Sequence, residues 1–219
     1  MRTTALALGF SLVLALAPEG AEACLHGTYM NIAKATKLVG KADQALSEGK
    51  AKKVLKILDP DGSYVSIGYF MFDIEDEKLH DRALTILSVA MLRAKTKGSD
   101  LAAEFLRERL AADKDDPWLE ARVAEAELRV TGDDAKADAR KTLADLAERD
   151  LMPDPEAWGM LSWLHLDSGD VAGSTVAFVR CRAMTERPGV CDPAAVAVEM
   201  APKKKKGKTA KAKELAPDA

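Results

Sequence analysis

The chain has 219 residues, of which 47% are hydrophobic, 31% are charged and only 5% are aromatic, and its formal net charge is −3. The apolar fraction excludes a chain that is disordered throughout. The low aromatic content, with the apolar share carried by Ala, Leu and Val, favours packed helices over a β-sandwich. Residues 203–219 carry about +5, residues 1–23 about −1 and the body between them about −7. Because no basic stripe lies on the body, the composition argues against a nucleic-acid-binding domain.

Residues 1–23 have the pattern of a secretory signal peptide. A basic start precedes an apolar run over 5–17, and Ala21-Glu22-Ala23 forms a small-x-small cleavage site directly before Cys24. The run is about 13 residues long, whereas a membrane-spanning helix needs roughly 20. We therefore expect a cleaved leader and a mature protein that is exported to the periplasm or to the outside of the cell.

The cysteine at the first mature position leaves a second interpretation open, in which a lipid is attached to it as in bacterial lipoproteins. Their leaders carry a large aliphatic residue three positions before the cysteine. This chain has Ala21 there, followed by the charged Glu22. A lipid anchor through Cys24 is therefore the minority alternative.

Four pairs of helices are predicted between residues 29 and 185. Glycines in polar turns separate stretches whose apolar residues recur at helical spacing, and Gly98, Gly132 and Gly169 follow one another at intervals of 34 and 37 residues. The predicted pairs are 29–48 with 50–58, 77–97 with 99–113, 118–131 with 134–149, and 156–168 with 171–185. A period near 34 residues is typical of paired-helix repeats, in which neighbouring pairs stack to complete one core. The sequence thus predicts an all-α repeat domain over 24–195.

The segment 59–75 interrupts the first interval and concentrates aromatic residues in a chain that has few. It contains Tyr64, Tyr69, Phe70 and Phe72. Contiguous exposed apolar surface is unusual in soluble proteins. We therefore expect this insertion to fill core space rather than to form an exposed binding patch.

Two cysteines lie ten positions apart near the end of the last predicted helix. In an oxidising compartment, a bridge between Cys181 and Cys191 would pin the following segment to that helix. The alternative is that Cys181 stays a buried free thiol at a small-residue packing site. The exported context favours the bridge, which leaves Cys24 as the odd cysteine.

Residues 196–219 are predicted to form a disordered tail. Pro, Gly and a run of lysines, Lys203, Lys204, Lys205 and Lys206, oppose a packed structure there. The lysine run is a solubilising element or, alternatively, an attachment to an anionic surface such as a lipid or a cell-wall polymer.

The sequence contains no signature of catalysis or of a cofactor. The three histidines, His26, His80 and His165, lie in different regions without a second histidine at helical spacing. Acidic clusters that begin at Asp59, Asp73 and Asp113 lack the glycine and glutamate of a calcium-binding EF-hand loop and are interpreted as helix starts. The chain also has no phosphate-binding loop, nucleophile elbow or CxxC pair. We expect neither an enzyme nor a metal or cofactor site.

The last predicted pair resembles the tetratricopeptide repeat (TPR) family. It has Trp158, Leu161 and Ser162 on the first helix and Gly169 at the turn, followed on the second helix by Ser174, Phe178 and Cys181. The other pairs match more loosely. The resemblance, to an exported bacterial member of the family, implies a right-handed α-solenoid of about four TPR-like helix-turn-helix repeats.

The resemblance also implies a concave groove lined by the first helix of each repeat, where a peptide or a partner segment binds. The implied groove residues are Arg122 and Arg129 in the third repeat and Trp163 and Leu166 in the fourth. Arg and Trp are also the side chains that most often dominate protein interfaces. The sequence therefore predicts a non-catalytic protein-protein interaction scaffold that acts outside the cytoplasm. The alternative is a structural envelope component that the lysine-rich tail tethers to an anionic surface.

Overall fold

The computed structural model describes residues 31–60, residue 74 and residues 76–201. The regular secondary structure of these residues is helical, which confirms the predicted all-α class. The helices are α1 (Ile32–Ser47), α2 (Ala51–Leu58), α3 (Glu77–Arg93), α4 (Ser99–Ala112), α5 (Pro117–Val130), α6 (Lys136–Glu148), α7 (Pro155–Asp167), α8 (Val171–Met184) and α9 (Pro193–Met200), with a 3-10 helix (Gly132–Ala135) before α6. The eight predicted helices correspond to α1 to α8, with bounds that agree within about four residues.

Acidic residues begin several of the helices. The side chains of Asp76, Asp116 and Asp154 accept hydrogen bonds from backbone N–H groups in the first turns of α3, α5 and α7. These carboxylates satisfy N–H groups that have no partner within the helix, and they lie at its positive end. The interpretation of the acidic clusters as helix starts is confirmed at Asp76 and Asp116, but it is wrong for Asp59, which lies at the C-terminal end of α2.

The turn between α3 and α4 differs from the prediction. The φ angles of Gly49, Gly132 and Gly169 are +74°, +73° and +83°, so these glycines make left-handed turns, whereas Gly98 has φ −90°. In this turn Lys95 takes the left-handed conformation, with φ +53°. The amide of Thr96 donates to Met91 O at 3.1 Å, which ends α3 four residues before its predicted end at 97.

The helices pack in chain order. Each helix from α1 to α8 contacts the next, and the first helices of the pairs, α1, α3, α5 and α7, contact one another in succession. Two clusters of buried apolar side chains result, one mainly between α1 and α5 and the other mainly between α5 and α9. Helix α5 contributes to both: Leu119 and Ala126 lie in the first cluster, Ala121 and Leu128 in the second.

Helix α9 was missed by the sequence analysis. It packs against α7, with Val196 and Met200 buried, and Asp192 caps its start at Pro193. The prediction of disorder is therefore wrong for residues 196–200, because an apolar surface on α7 is available to hold them.

The chain between α8 and α9, residues 185–192, crosses the end of α7; we call it the strap. The Sγ atoms of Cys181 and Cys191 lie 2.00 Å apart, so the predicted disulfide is present and pins the strap to α8. Both cysteines are buried. At the other end of the strap, Arg187 reaches the turn between α1 and α2, where a Cβ on Gly49 would lie 2.7 Å from Arg187 Nη1. The strap thus spans from the fourth helix pair to the first.

Replacing both bridged cysteines by alanine is expected to lower the free energy of unfolding by about 2–3 kcal/mol, because an unfolded chain without the ten-residue loop has more conformational freedom. Urea denaturation of the mature chain measures this difference. Addition of a reductant should destabilise the wild type by a similar amount and leave the double variant unchanged. A reductant effect of equal size on both proteins would contradict the assignment.

Several predicted features lie outside the described residues. They are the signal peptide over 1–23, Cys24, His26, the insertion apart from its ends and the tail after residue 201. Ile74, near the end of the insertion, is described and buried. None of the described helices is long and apolar enough to cross a membrane.

Candidate binding groove

Two adjoining cavities form a groove along the first helices of the pairs. The first has a volume of about 410 Å³ and the second about 320 Å³, and Asp43 of α1 and Trp118 of α5 line both. The walls come chiefly from the C-terminal half of α1, the N-terminal half of α3 and the first turns of α5 and α7. We call the two cavities together the central groove.

Ion pairs line the first cavity. Arg82 Nη2 donates to Asp43 Oδ2 at 2.5 Å and so joins α3 to α1, and Arg109 Nη1 lies 2.7 Å from Asp81 Oδ2. These groups are partly exposed, so water screens both pairs. Among the described residues, Arg109 Nε has no hydrogen-bond partner although the atom is buried. This cavity therefore offers paired charges of both signs on its walls.

Trp118 forms the boundary between the two cavities. Its amide is fixed by the Asp116 cap, with Oδ1 accepting from Trp118 N at 2.8 Å. The guanidinium carbon of Arg122 lies 5.4 Å from the centroid of the indole ring, which is cation–π geometry. The ring is partly buried against the core of the first helix pairs. The ring thus lies between Arg122 and the core, at the border of the two cavities.

Beneath the second cavity, a single carboxylate gathers three arginines. Arg93 Nε and Nη2 donate to the two oxygens of Glu125 at 2.8 and 2.9 Å, and Arg129 Nε donates to Oε1 at 3.0 Å. Arg122 Nη1 donates to Oε2. The Glu125 side chain is only 2% exposed. We call this group, with the partners given next, the Glu125 cluster.

The cluster extends outward to four further charged residues. Arg122 donates to Asp154, and Arg129 Nη2 donates to Glu199 Oε1 of α9 at 2.6 Å. Arg93 Nη1 donates to Glu156 Oε1 at 3.5 Å, and Glu156 also accepts from Arg187 of the strap. One connected set of four arginines and four carboxylates therefore joins α3, α5, α7, the strap and α9.

The central pair of the cluster, Glu125 and Arg93, stays charged. Burial disfavours the ionised form of Glu125, but Arg93, Arg129 and Arg122 outweigh it and hold the pKa of its carboxyl well below the usual value. Burial likewise disfavours the charged form of Arg93, and the neighbouring Glu125 raises its pKa above the usual range. Groups that stay charged at every physiological pH do not serve as general acids or bases. The cluster acts as a charged link between helices.

The structure places the four predicted groove residues in different environments. Arg122 lines the second cavity, but its guanidinium is 1% exposed and paired within the cluster. Arg129 is covered by α9 through Glu199. Trp163 is buried, with Lys136 Nζ 5.2 Å from its ring centroid, whereas Leu166 is 46% exposed. The four residues do not form one surface, and a role for each in partner binding stays a prediction.

Sequence reasoning did not single out Asp43, Arg82, Arg109 or Trp118 as groove residues. The position of Trp118 could have been predicted, because Asp116-Pro117 marks the start of a helix and places the tryptophan in its first turn. The others are ordinary charged residues at helix surfaces, and only the packing of α1, α3 and α5 brings them together.

The described histidines do not form a metal site. His165 Nδ1 lies 2.8 Å from Asp170 Oδ2, and the Gly173 amide, followed by His165, lowers the pKa of Asp170. In the described parts of the chain, no group of three or more His, Cys, Asp or Glu side chains is arranged to hold a metal ion. His165 lies in the last turn of α7, where it contacts the residue that caps α8.

Comparison with known proteins gives no relative: no family model, no curated protein and no solved structure matches this chain.

Proposed function

We propose that the protein is a non-catalytic interaction scaffold that acts outside the cytoplasm and binds a peptide segment of a partner in the central groove. In this proposal the four helix pairs form a TPR-like α-solenoid. The succession of contacts among α1, α3, α5 and α7 supports such stacking. In a stacked array of this kind, the first helices lie on one face and can line one continuous groove.

The continuity of the central groove carries the proposal. Its two cavities share a wall at Asp43 and Trp118, and each has a volume in the range typical of ligand pockets, about 300–1,000 Å³. A partly exposed tryptophan beside arginines, here Trp118 with Arg82 and Arg122, is the composition of an interface anchor. The lining has both signs of charge, so a segment with polar and charged side chains suits it better than a purely apolar one.

The ordered C-terminal segment limits where a partner enters. Helix α9 covers Arg129, and the strap crosses α7 at Gly159 and reaches Gly49. A partner segment therefore engages the groove from the side of α1, α3 and α5. Arg129 would contact a partner only after α9 has moved away.

Two features support the proposed compartment. The leader predicted over 1–23 would export the chain, and the Cys181–Cys191 disulfide is of a kind that persists in oxidising compartments. Both support a periplasmic or extracellular location for this scaffold.

Substitutions of two matched arginines test the groove. Arg82 and Arg107 each form a partly exposed ion pair with a 2.5 Å contact, but only Arg82 lines the first cavity. A random-peptide phage library is panned against the mature chain, and affinities of the selected peptides are measured by fluorescence anisotropy. We expect Arg82→Ala to weaken binding at least about fivefold and Arg107→Ala to leave it nearly unchanged.

Trp118→Ala should weaken the same peptides about tenfold or more, because it removes the aromatic anchor. Circular dichroism checks that each variant is folded at the assay temperature. Peptides that bind Arg82→Ala and Trp118→Ala as tightly as the wild type would reject this groove as the binding site.

A further inference from the structure

Helix α8 has an outward face that is apolar instead of polar. Its inward side chains, Ser174, Ala177 and Cys181, are buried against α7 and the strap. On the opposite side four exposed residues follow one another at intervals of four, three and four: Ala172, Val176, Val179 and Ala183. We call these four residues the α8 stripe. This spacing is that of the contact positions of a coiled-coil helix.

The apolar exposure is concentrated on this helix. Val176 is 62% and Val179 59% exposed, and Val171, Phe178 and Met184 of α8 are exposed as well. Of the ten large hydrophobic side chains exposed among the described residues, these five belong to α8. Single exposed apolar residues need no explanation, but a contiguous set on one helix is typical of an interaction site.

The arrangement of the last helices explains why the face is open. α8 is the second helix of the fourth pair, and the next helix along the chain, α9, packs on α7. In stacked helical arrays, the helix at the end of the stack normally has a polar outer face. The outer face of α8 is instead apolar, as is usual for a helix face that packs against another helix.

The residues that flank the stripe indicate the charge of that helix. In heptad terms, with Val176 and Val179 at contact positions a and d, Arg180 takes position e and Arg182 position g. Both are exposed, and neither forms an ion pair with another described residue. Positions e and g set the choice of partner through interhelical ion pairs, so two arginines favour glutamates or aspartates on the facing helix.

We propose that the outward face of α8 docks an acidic amphipathic helix of a partner protein. Two copies of α8 would bring Arg180 and Arg182 to the interface without an acidic residue on either helix to pair with them. A lipid surface fits less well, because helices that lie on membranes insert Trp, Phe or Leu, whereas the α8 stripe itself consists of alanine and valine and the exposed Phe178 lies beside it, at heptad position c. These small side chains make a shallow seam into which the larger side chains of another helix can pack. This docking surface is separate from the central groove and does not depend on the proposed peptide binding.

A pair of synthetic helical peptides tests the proposal. Both carry leucine at positions a and d over three heptads, and they differ only in having glutamate or lysine at e and g, so that each repels its own copies. Fluorescence anisotropy measures their binding to the full mature chain. We expect the glutamate peptide to bind the wild type about tenfold more tightly than the lysine peptide.

Two variants of α8 complete the design. Arg180→Glu with Arg182→Glu should reverse the preference between the peptides, and Val176→Asp with Val179→Asp should abolish binding of both. All four side chains are exposed, so the variants should keep the wild-type melting temperature within a few degrees, as followed by circular dichroism.

Other outcomes would overturn the proposal. Equal affinity for the two peptides, or a preference unchanged by charge reversal, would exclude recognition of an acidic helix. A second copy of the chain would be the occupant if neither peptide bound and the protein self-associated in sedimentation equilibrium, with the valine substitutions abolishing this self-association. Absence of peptide binding together with valine-dependent binding to phosphatidylglycerol vesicles would identify a lipid surface.

Discussion

Replacing Glu125 by glutamine is expected to lower the free energy of unfolding by about 3–5 kcal/mol, the usual cost of removing one partner from a buried ion pair. Arg93, Arg122 and Arg129 all donate to this one carboxylate, which is 2% exposed. Glutamine has nearly the same shape, but it carries no charge and presents an NH₂ group to donors. The variant would leave three buried guanidinium groups without their common counter-charge.

Glu127→Gln is the matched control, because it makes the same chemical change on the same helix. Glu127 pairs with Arg107 at the surface, where both side chains are partly exposed. Its removal should cost less than about 1 kcal/mol. Urea denaturation of both variants, followed by circular dichroism, makes the comparison. If Glu125→Gln were no more destabilising than Glu127→Gln, the cluster would not be a stabilising link between the helices.

The destabilisation caused by Glu125→Gln should depend on pH. The pKa of Glu125 is held well below its usual value in the folded protein, so its contribution is present above the pKa of the unfolded chain, about 4.3. That contribution is lost as the pH falls through the folded-state pKa. The difference in unfolding free energy between wild type and Glu125→Gln should therefore be constant near neutral pH and decrease only in acid.

The helix pairs could be predicted because their signals are local. Apolar spacing, turn glycines and acidic caps lie within a few residues of the structure they specify, and α1 to α8 follow them closely. The exception is the turn after α3. This helix ends at Arg93, and Lys95, not Gly98, takes the left-handed conformation.

The environment of Arg122 and Arg129 could not be predicted in the same way. Their spacing from Glu125, three and four residues, places the three side chains on one face of α5, and that much was visible in the sequence. Their burial depends on Arg93 of α3 and Glu199 of α9, which are far away in the chain. Without knowledge of α9, a groove position and a buried position have the same sequence pattern.

The position of α9 has a consequence for the candidate site. The resemblance to TPR proteins implied a groove open along all four first helices, but the strap and α9 lie over the surface near α7. What stays accessible is the central groove on either side of Trp118, whose second cavity is lined by the first turn of α7 and by Thr185 and Arg187 of the strap. The disulfide anchors the strap at Cys191 and so keeps the strap in place over this surface.

Gly159→Ala should destabilise the protein by about 1–3 kcal/mol, the range for introducing a methyl group where no space exists. A Cβ at Gly159 of α7 would lie 2.1 Å from the carbonyl oxygen of Val190 and 3.7 Å from Val196 Cγ2. Val190 precedes Cys191, so the strap cannot retreat without straining the segment that the disulfide holds. The extra methyl group should therefore displace the strap and loosen α9.

Gly40→Ala provides the control of opposite sign. Gly40 lies in α1, and a Cβ there would meet nothing within 4 Å. The same substitution should stabilise the protein by about 0.5–1 kcal/mol, because alanine loses less backbone freedom than glycine when a helix forms. Urea denaturation gives both values, and amide hydrogen exchange should show faster exchange of α9 in Gly159→Ala alone. The helix preference for alanine over glycine acts at both sites. If Gly159→Ala stabilised the protein and left the hydrogen exchange of α9 unchanged, the strap would not pack on α7.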